Sequence, residues 1–206
     1  IANFIPLIVV AKMKLDCGDI TIQEYICLLQ SIEKYIYRVF LWEGKRSNAG
    51  LTNFYRWSYE LYSSLWSINQ IVTWIDNLCI YYSPEEDFNN SCYEVSPWYG
   101  SSNRVLKYTL FEYELYLLEN EGKSAAPRIK WEEICDTTLE HILPQNPAEN
   151  SLWLSKWSDE QREKYKHDIC NIVLTRDNSS YLNFDYDRKR GEAGTGSCYS
   201  NYDSRQ

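Results

Sequence analysis

The sequence predicts a mainly α protein, α+β overall, in which an N-terminal helical bundle (residues 1–127) is followed by a small strand-containing domain (residues 128–206). Three observations predict this. Apolar residues recur at steps of three and four through the first 130 residues, the period of helices with one buried face. Near residue 128 the composition shifts to β-branched residues with no such stripe. Aromatic residues make up 16% of the chain, with eight Trp and 18 Tyr, which supports a packed core over a disordered chain.

The opening stretch IANFIPLIVVA is too short to span a bilayer and has no initiator Met, so no membrane partner is expected and the chain reads as part of a larger protein. Ile22, Ile26, Leu29, Ile32, Ile36 and Val39 share one helix face, and GKRSNAG (44–50), with glycine at both ends, breaks that helix. A second stripe runs Phe54, Trp57, Leu61, Leu65, Ile68, Val72, Ile75 and Cys79, with SSLWS as the place for a kink or break. Helical spacing makes these aromatics core residues and not a base-stacking platform. Residues 83–102 read as a long polar, aromatic loop, and Val105, Leu106, Leu110, Tyr113 and Leu117 mark another helix. Past residue 128, IKWEEICDTTLEHIL reads as an extended segment that turns at Pro144. Ser158 with Gln161 forms a capping box for a helix over DEQREKYKHDI. NIVLT (171–175) reads as a second strand, and RDNSSYLNFDYDRKR as a turn into a short helix with a cationic end. The Gly/Ser-rich tail is a poor domain end, so the fold is expected to continue past it.

The formal net charge is −8, and both domains are acidic. A free-standing nucleic-acid binder carries a basic face, so any such contact has to come from local patches, a metal or other domains. The seven cysteines are scattered and include no C-x-x-C, which suggests neither a zinc site nor a disulfide framework and fits reduced thiols in a cytoplasm. No Gly-rich phosphate loop is present, so no NTP site is assigned to this chain.

One of only two histidines lies in LEHILPQNP (139–147), beside a glutamate and just before a turn. Alone, His141 reads as a surface histidine. The polar residues that follow it in order change that reading: Asn171 opens the second strand, Asn178 sits in the turn after it, and Asn183 and Lys189 lie in the final helix. Hydrolysis of a phosphodiester requires that water lose a proton, that the phosphate's developing charge meet a cation, and that the departing oxygen be stabilised. A neutral imidazole suits the first demand near neutral pH. A divalent ion held by one or two hard oxygen ligands suits the other two. The plainer readings stand beside this one: His167 packs at a helix end, Asn178 makes its own Asx-turn, and Lys189 is a solvated cation at a helix C-terminus.

In this order the residues LEHILPQNP and KHDICNIVLTRDNSSYLNFDYDRK resemble the HNH (His-Me finger, ββα-metal) nuclease module at the C-terminus of GmrSD-type restriction endonucleases. EHILPQ, HDICNIVL, Asn178, Asn183 and YDRK occupy the places of that family's E-H-I-x-P-Q, H-x-x-G-N-L-x-L, asparagine and F-x-x-K elements, with the same separations between Asn178, Asn183 and Lys189. The upstream stretch IEKYIYRVFLWEGKRSNAGLTNFYRWSYELYSS also resembles the helical region before that module. Cys170 stands where the family has Gly, Ile172 where it has Leu, and the stretch from Asn171 to Asn178 is about two residues shorter than usual. Cys170 therefore needs a negative φ or a strained backbone.

The resemblance implies a small ββα-metal module behind a helical bundle, with His141 as general base and Asn171 bracing the loop that orients it. Glu140 is an implied metal ligand and Asn178 the second, with Ser180 or Asn183 as alternatives. Lys189 is implied as a cation near the phosphate or leaving oxygen, and Arg176, Arg188 and Arg190 as a basic patch for DNA. It also implies Mg²⁺ or Mn²⁺ as cofactor, and DNA, modified phage DNA included, as substrate in prokaryotic defence. A sensing region that uses an NTP would lie N-terminal to this chain, and an oligomer is allowed. The alternative is a catalytically inactive HNH fold that serves as an interaction scaffold.

Overall fold

The computed structural model describes residues 2–94, 98–100, 103–120, 129–176, 183–186 and 189. Asn178, Ser180, Arg188 and Arg190 lie outside the described residues. The chain divides into two units, Ile1–Glu94 and Val95–Gln206.

In the first unit, a 3-10 turn leads into α1 (Ile5–Asp16), followed by α2 (Ile22–Tyr35), α3 (Leu51–Tyr62), α4 (Ile68–Tyr82) and α5 (Glu85–Glu94). Helix α1 packs on α3, and α2 on α4. Thr21 and Ser67 start α2 and α4 with reciprocal capping boxes, Thr21 Oγ1 accepting from Glu24 N at 3.2 Å and Ser67 Oγ from Gln70 N at 3.3 Å. Phe4, Tyr35, Phe54 and Trp57 interlock edge to face in the core, with ring centroids 4.5 Å apart for Phe4–Phe54 and 5.2 Å for Tyr35–Phe54. The aromatic stripes are core, as their spacing implies.

Two local expectations change, and a third, the kink or break at SSLWS, is met. The buried face of α2 and its π-helical continuation (Ile36–Trp42) is Leu28, Ile32, Tyr35 and Val39, whereas Ile22 and Ile26 are exposed. An apolar period marks an arc of the helix, and the packing partner selects which part of that arc is buried. The second stripe is two helices: α3 ends at Tyr62, Ser64 takes a φ of 56°, and Leu65 is left exposed in the break. The expected loop over 83–102 contains α5. This helix lacks an apolar stripe, but Glu85, Glu86 and Asp87 fill its first turn and suit the positive end of its dipole. Buried Arg38 anchors it, with Nη1 donating to Glu85 Oε2 at 2.7 Å and the guanidinium 4.3 Å above the Phe88 ring.

The second unit contains α6 (Asn103–Asn120), β1 (Thr138–His141), α7 (Leu152–Lys156), α8 (Asp159–Tyr165) and β2 (Ile172–Thr175). The strands pair antiparallel, from Thr138 opposite Thr175 to His141 opposite Ile172. Leu106 and Phe111 of α6 are buried with Ile134, Leu139, Ile172 and Leu174. The division expected after residue 127 and the observed one at residue 94 therefore put α6 on different sides, and its apolar face shares a core with the strands. The expected extended run narrows to four strand residues, because Trp131–Asp136 forms a 3-10 turn closed by Lys130 N donating to Glu133 Oε2 at 3.0 Å. Ser158 caps α8 with Gln161 as expected. Cys170 sits in a 3-10 turn, and Ser64 is the only non-glycine among the described residues with positive φ, so no strain arises at Cys170. Among the described residues the molecule is mainly helical with one small antiparallel sheet, the α+β class expected. Among the described residues no helix is long and apolar enough to cross a membrane.

Candidate active site

The site forms where β1 ends. Backbone pairing runs one step past the strand, with Ile142 N donating to Asn171 O at 2.9 Å. The Asn171 side chain then acts as a substitute peptide group, because a carboxamide presents the same donor and acceptor as the main chain. Its Oδ1 accepts from Leu143 N at 2.7 Å, and its Nδ2 donates to Leu143 O at 3.1 Å and to Lys166 O at 2.9 Å. The amide thus holds both the exit of β1 and the turn after α8. Pro144 has no N–H to continue the ladder, and the chain leaves.

Glu140 and His141 are adjacent on β1 and both buried, at 7% and 5% exposure. Lys189, fully buried, reaches Glu140 from the last described segment: its ammonium donates to Glu140 Oε1 at 2.7 Å, His141 O at 2.7 Å and Ile142 O at 3.2 Å. Three N–H donors meet three oxygens, which satisfies a buried cation. Burial raises the Glu140 carboxyl above its ordinary pKa, although Lys189 opposes the shift. The segment that carries Lys189 is anchored through Asp185, whose Oδ1 accepts from Leu152 N at the start of α7 at 3.1 Å.

The His141 ring has partners on both nitrogens: Nε2 lies 3.2 Å from His167 Nδ1, and Nδ1 lies 3.3 Å from Gln145 Nε2. Tyr99 meets His141 edge-on at 4.5 Å and stacks on His167 at 5.5 Å with 13° between planes. Burial first, then the His167, Lys189 and Lys166 charges, push the His141 pKa down to about 4, so the ring is neutral at pH 7. Tyr99, Leu139, Glu140, His141, Pro144, Gln145, Asn146 and Asn183 line a cleft of about 360 Å³.

Of the residues expected from the sequence, Glu140, His141 and exposed Asn183 share this cleft, while Asn171 and Lys189 lie beneath it as buried braces. The Lys189 ammonium, expected near a phosphate, faces protein oxygens. Arg176 is exposed and ion-paired with Glu133. Gln145, His167 and Tyr99 are site residues to which sequence reasoning gave no chemical role. Gln145 was within reach, four residues from His141 across the turn, but Tyr99 is 42 positions away and has no sequence signal. Among the described residues no group of three or more His, Cys, Asp or Glu side chains is placed to hold a metal. A hard cation such as Mg²⁺ asks for less, one or two protein oxygens plus waters and substrate, and the Glu140 carboxylate with the Asn183 amide on one cleft fits that sparse requirement.

Fold and site together define a helix-rich α+β protein whose second unit carries a polar cleft with a neutral imidazole beside a carboxylate. The chain belongs to the family of GmrSD restriction endonucleases, C-terminal domain, whose model matches residues 82–203, more than half of the sequence. The match includes every residue of the cleft and leaves α1–α3 outside. No curated protein and no solved structure matches the chain.

Proposed function

We propose that the second unit is an HNH-type (ββα-metal) DNA endonuclease module that hydrolyses phosphodiester bonds with His141 as general base. The observation that carries this reading is that His141, Glu140 and Asn183 line one polar cleft. Glu140 and Asn183, with Asn178 or Ser180 as further candidates, would hold Mg²⁺ or Mn²⁺, which when bound supplies positive charge to the phosphate and leaving oxygen. His141 takes the proton of the attacking water. Its depressed pKa leaves a nitrogen lone pair available at pH 7, and the negative charge of an incoming phosphodiester favours the protonated ring as transfer proceeds. Lys189 holds Glu140 and the two carbonyls at the end of β1, which fixes where that carboxylate points.

In this reading the substrate is DNA, modified phage DNA included, in a prokaryotic cytoplasm. Recognition that uses an NTP belongs to another region of the same protein, and Arg176, Arg188 and Arg190 supply local positive charge to an otherwise acidic chain. The test is nicking of supercoiled plasmid in Mg²⁺ or Mn²⁺. His141→Ala should lower the rate by about 100-fold or more while the circular dichroism spectrum stays that of the folded protein. Cutting by the variant at the wild-type rate removes His141 from the chemistry. A second reading, an inactive HNH fold kept as a scaffold, takes support from the Lys189 ammonium on Glu140 Oε1 and the net charge of −8. It requires that the wild-type protein cut nothing with either metal.

A further inference from the structure

We propose that His167 is the positioning residue of this site: its Nδ1 accepts the Nε2 proton of His141 and fixes the tautomer whose Nδ1 lone pair faces Gln145. The proposal rests on the reading of His141 as the base, and its structural part can be decided without any activity.

The argument starts from the two contacts of the His141 ring. An amide N–H can only donate, and Gln145 Nε2 lies 3.3 Å from His141 Nδ1, so Nδ1 carries the lone pair. A neutral imidazole has one N–H, which then sits on Nε2, 3.2 Å from His167 Nδ1. His167 Nδ1 must in turn be the acceptor. The three side chains form one directed chain of donors, from Gln145 to His141 to His167.

His167 is itself fixed. Its carbonyl accepts from Trp98 N at 3.0 Å and Tyr99 N at 3.2 Å, and the Tyr99 ring stacks on its face. Asn171 holds the preceding residue through Lys166 O, so the brace of the strand end also sets the turn that presents His167. A base oriented by an imidazole nitrogen, in place of a carboxylate, keeps its ring direction without an added negative charge in a cleft that has to admit a phosphate. The nitrogen left with its lone pair is the one facing Gln145, whose amide has to yield that position before the attacking water can give up its proton there.

The test uses the full chain labelled with ¹⁵N-histidine. Only two histidines are present, so only two ring systems appear. The expected spectrum at neutral pH shows His141 protonated on Nε2 and bare on Nδ1, with a coupling across the hydrogen bond into the second ring. His167→Phe keeps a ring to stack on Tyr99 but offers no acceptor. It should leave the remaining imidazole with mixed tautomers and lower the maximal nicking rate about 10–100-fold at unchanged KM, the usual cost of losing an orienting partner. His167→Asn, which returns an acceptor near the Nδ1 position, should restore the Nε2–H tautomer and most of the rate. A wild-type His141 protonated on Nδ1, or a Phe variant with wild-type tautomer and rate, overturns the proposal. If no form of the protein cuts DNA, the nuclease reading fails, and the ring spectra still decide whether His167 sets the tautomer.

Discussion

Among the described residues, the first unit buries mainly Phe4, Tyr35, Phe54, Trp57 and a set of aliphatics, with Arg38 and a few serines at the edge of that core, whereas the second unit buries Glu140, His141, Asn171 and Lys189 beside a smaller apolar cluster. The first is held mainly by non-directional apolar burial, which asks for volume and shape. The second depends on directional bonds, each of which leaves a buried charge or amide unpaired when it is lost. A polar interior is a weak way to stabilise a fold but a good way to fix an imidazole and a carboxylate at the rim of a cleft. The two units should therefore fail differently.

The largest expected effect is at Lys189. Lys189→Ala leaves Glu140 and two carbonyls without their donor and should destabilise the second unit by about 3–5 kcal/mol. Pairing Lys189→Met with Glu140→Leu removes both charges and should regain more than half of that loss, though not the cleft chemistry. Hydrogen exchange at β1 and β2 reads both variants, and an alanine variant as protected as wild type would erase the contrast between the units.

Next in size is Gly50. It sits at φ 72°, and a Cβ there would come 2.7 Å from Tyr35 Oη and 2.9 Å from Leu78 Cδ2. Gly50→Ala should cost about 2–3 kcal/mol through left-handed strain and overpacking, read as faster exchange in α1–α4. Equal protection there would show that the aromatic core yields more easily than its packing suggests.

The third effect, small near neutral pH and growing as the pH falls, is a pH dependence. The pKa of His141 is lowered from 6.5 to about 4 on folding, so below pH 6.5 the unfolded chain takes up a proton that the folded one resists. Stability from this group is complete above pH 6.5 and declines as the pH falls toward 4. The loss should show at β1 and β2 amides, be absent from the first unit, which has no histidine, and vanish in His141→Phe. A decline of the same size in α1–α4 would assign the effect to other groups.

Local signals were legible in the sequence. The Ser158–Gln161 box and the split between α3 and α4 depend on residues three or four positions apart, and helix geometry makes such residues neighbours without help from the rest of the fold. The two strand segments, one ending in LEHIL and the other NIVLT, were readable in order, and the family pattern marked Glu140 and His141. The family pattern marked Lys189 too, but its inward turn onto Glu140 was not legible. Between Arg188 and Arg190 it reads as one of three solvated cations, yet it is the one whose ammonium is buried against Glu140. Helix α5 was missed because a polar sequence gives no period, and what holds it is an arginine 47 residues earlier.

The sequence by itself determined the class, the capped start of α8, the two strand segments and the place of His141 at the end of the first, because those follow from composition and short-range spacing. Only the tertiary structure decided that Lys189 turns inward, that Tyr99 joins the cleft and that the two histidines face each other at 3.2 Å. Burial and hydrogen-bond pairing are properties of distant segments brought together, and no local pattern records which of several like residues meets the partner.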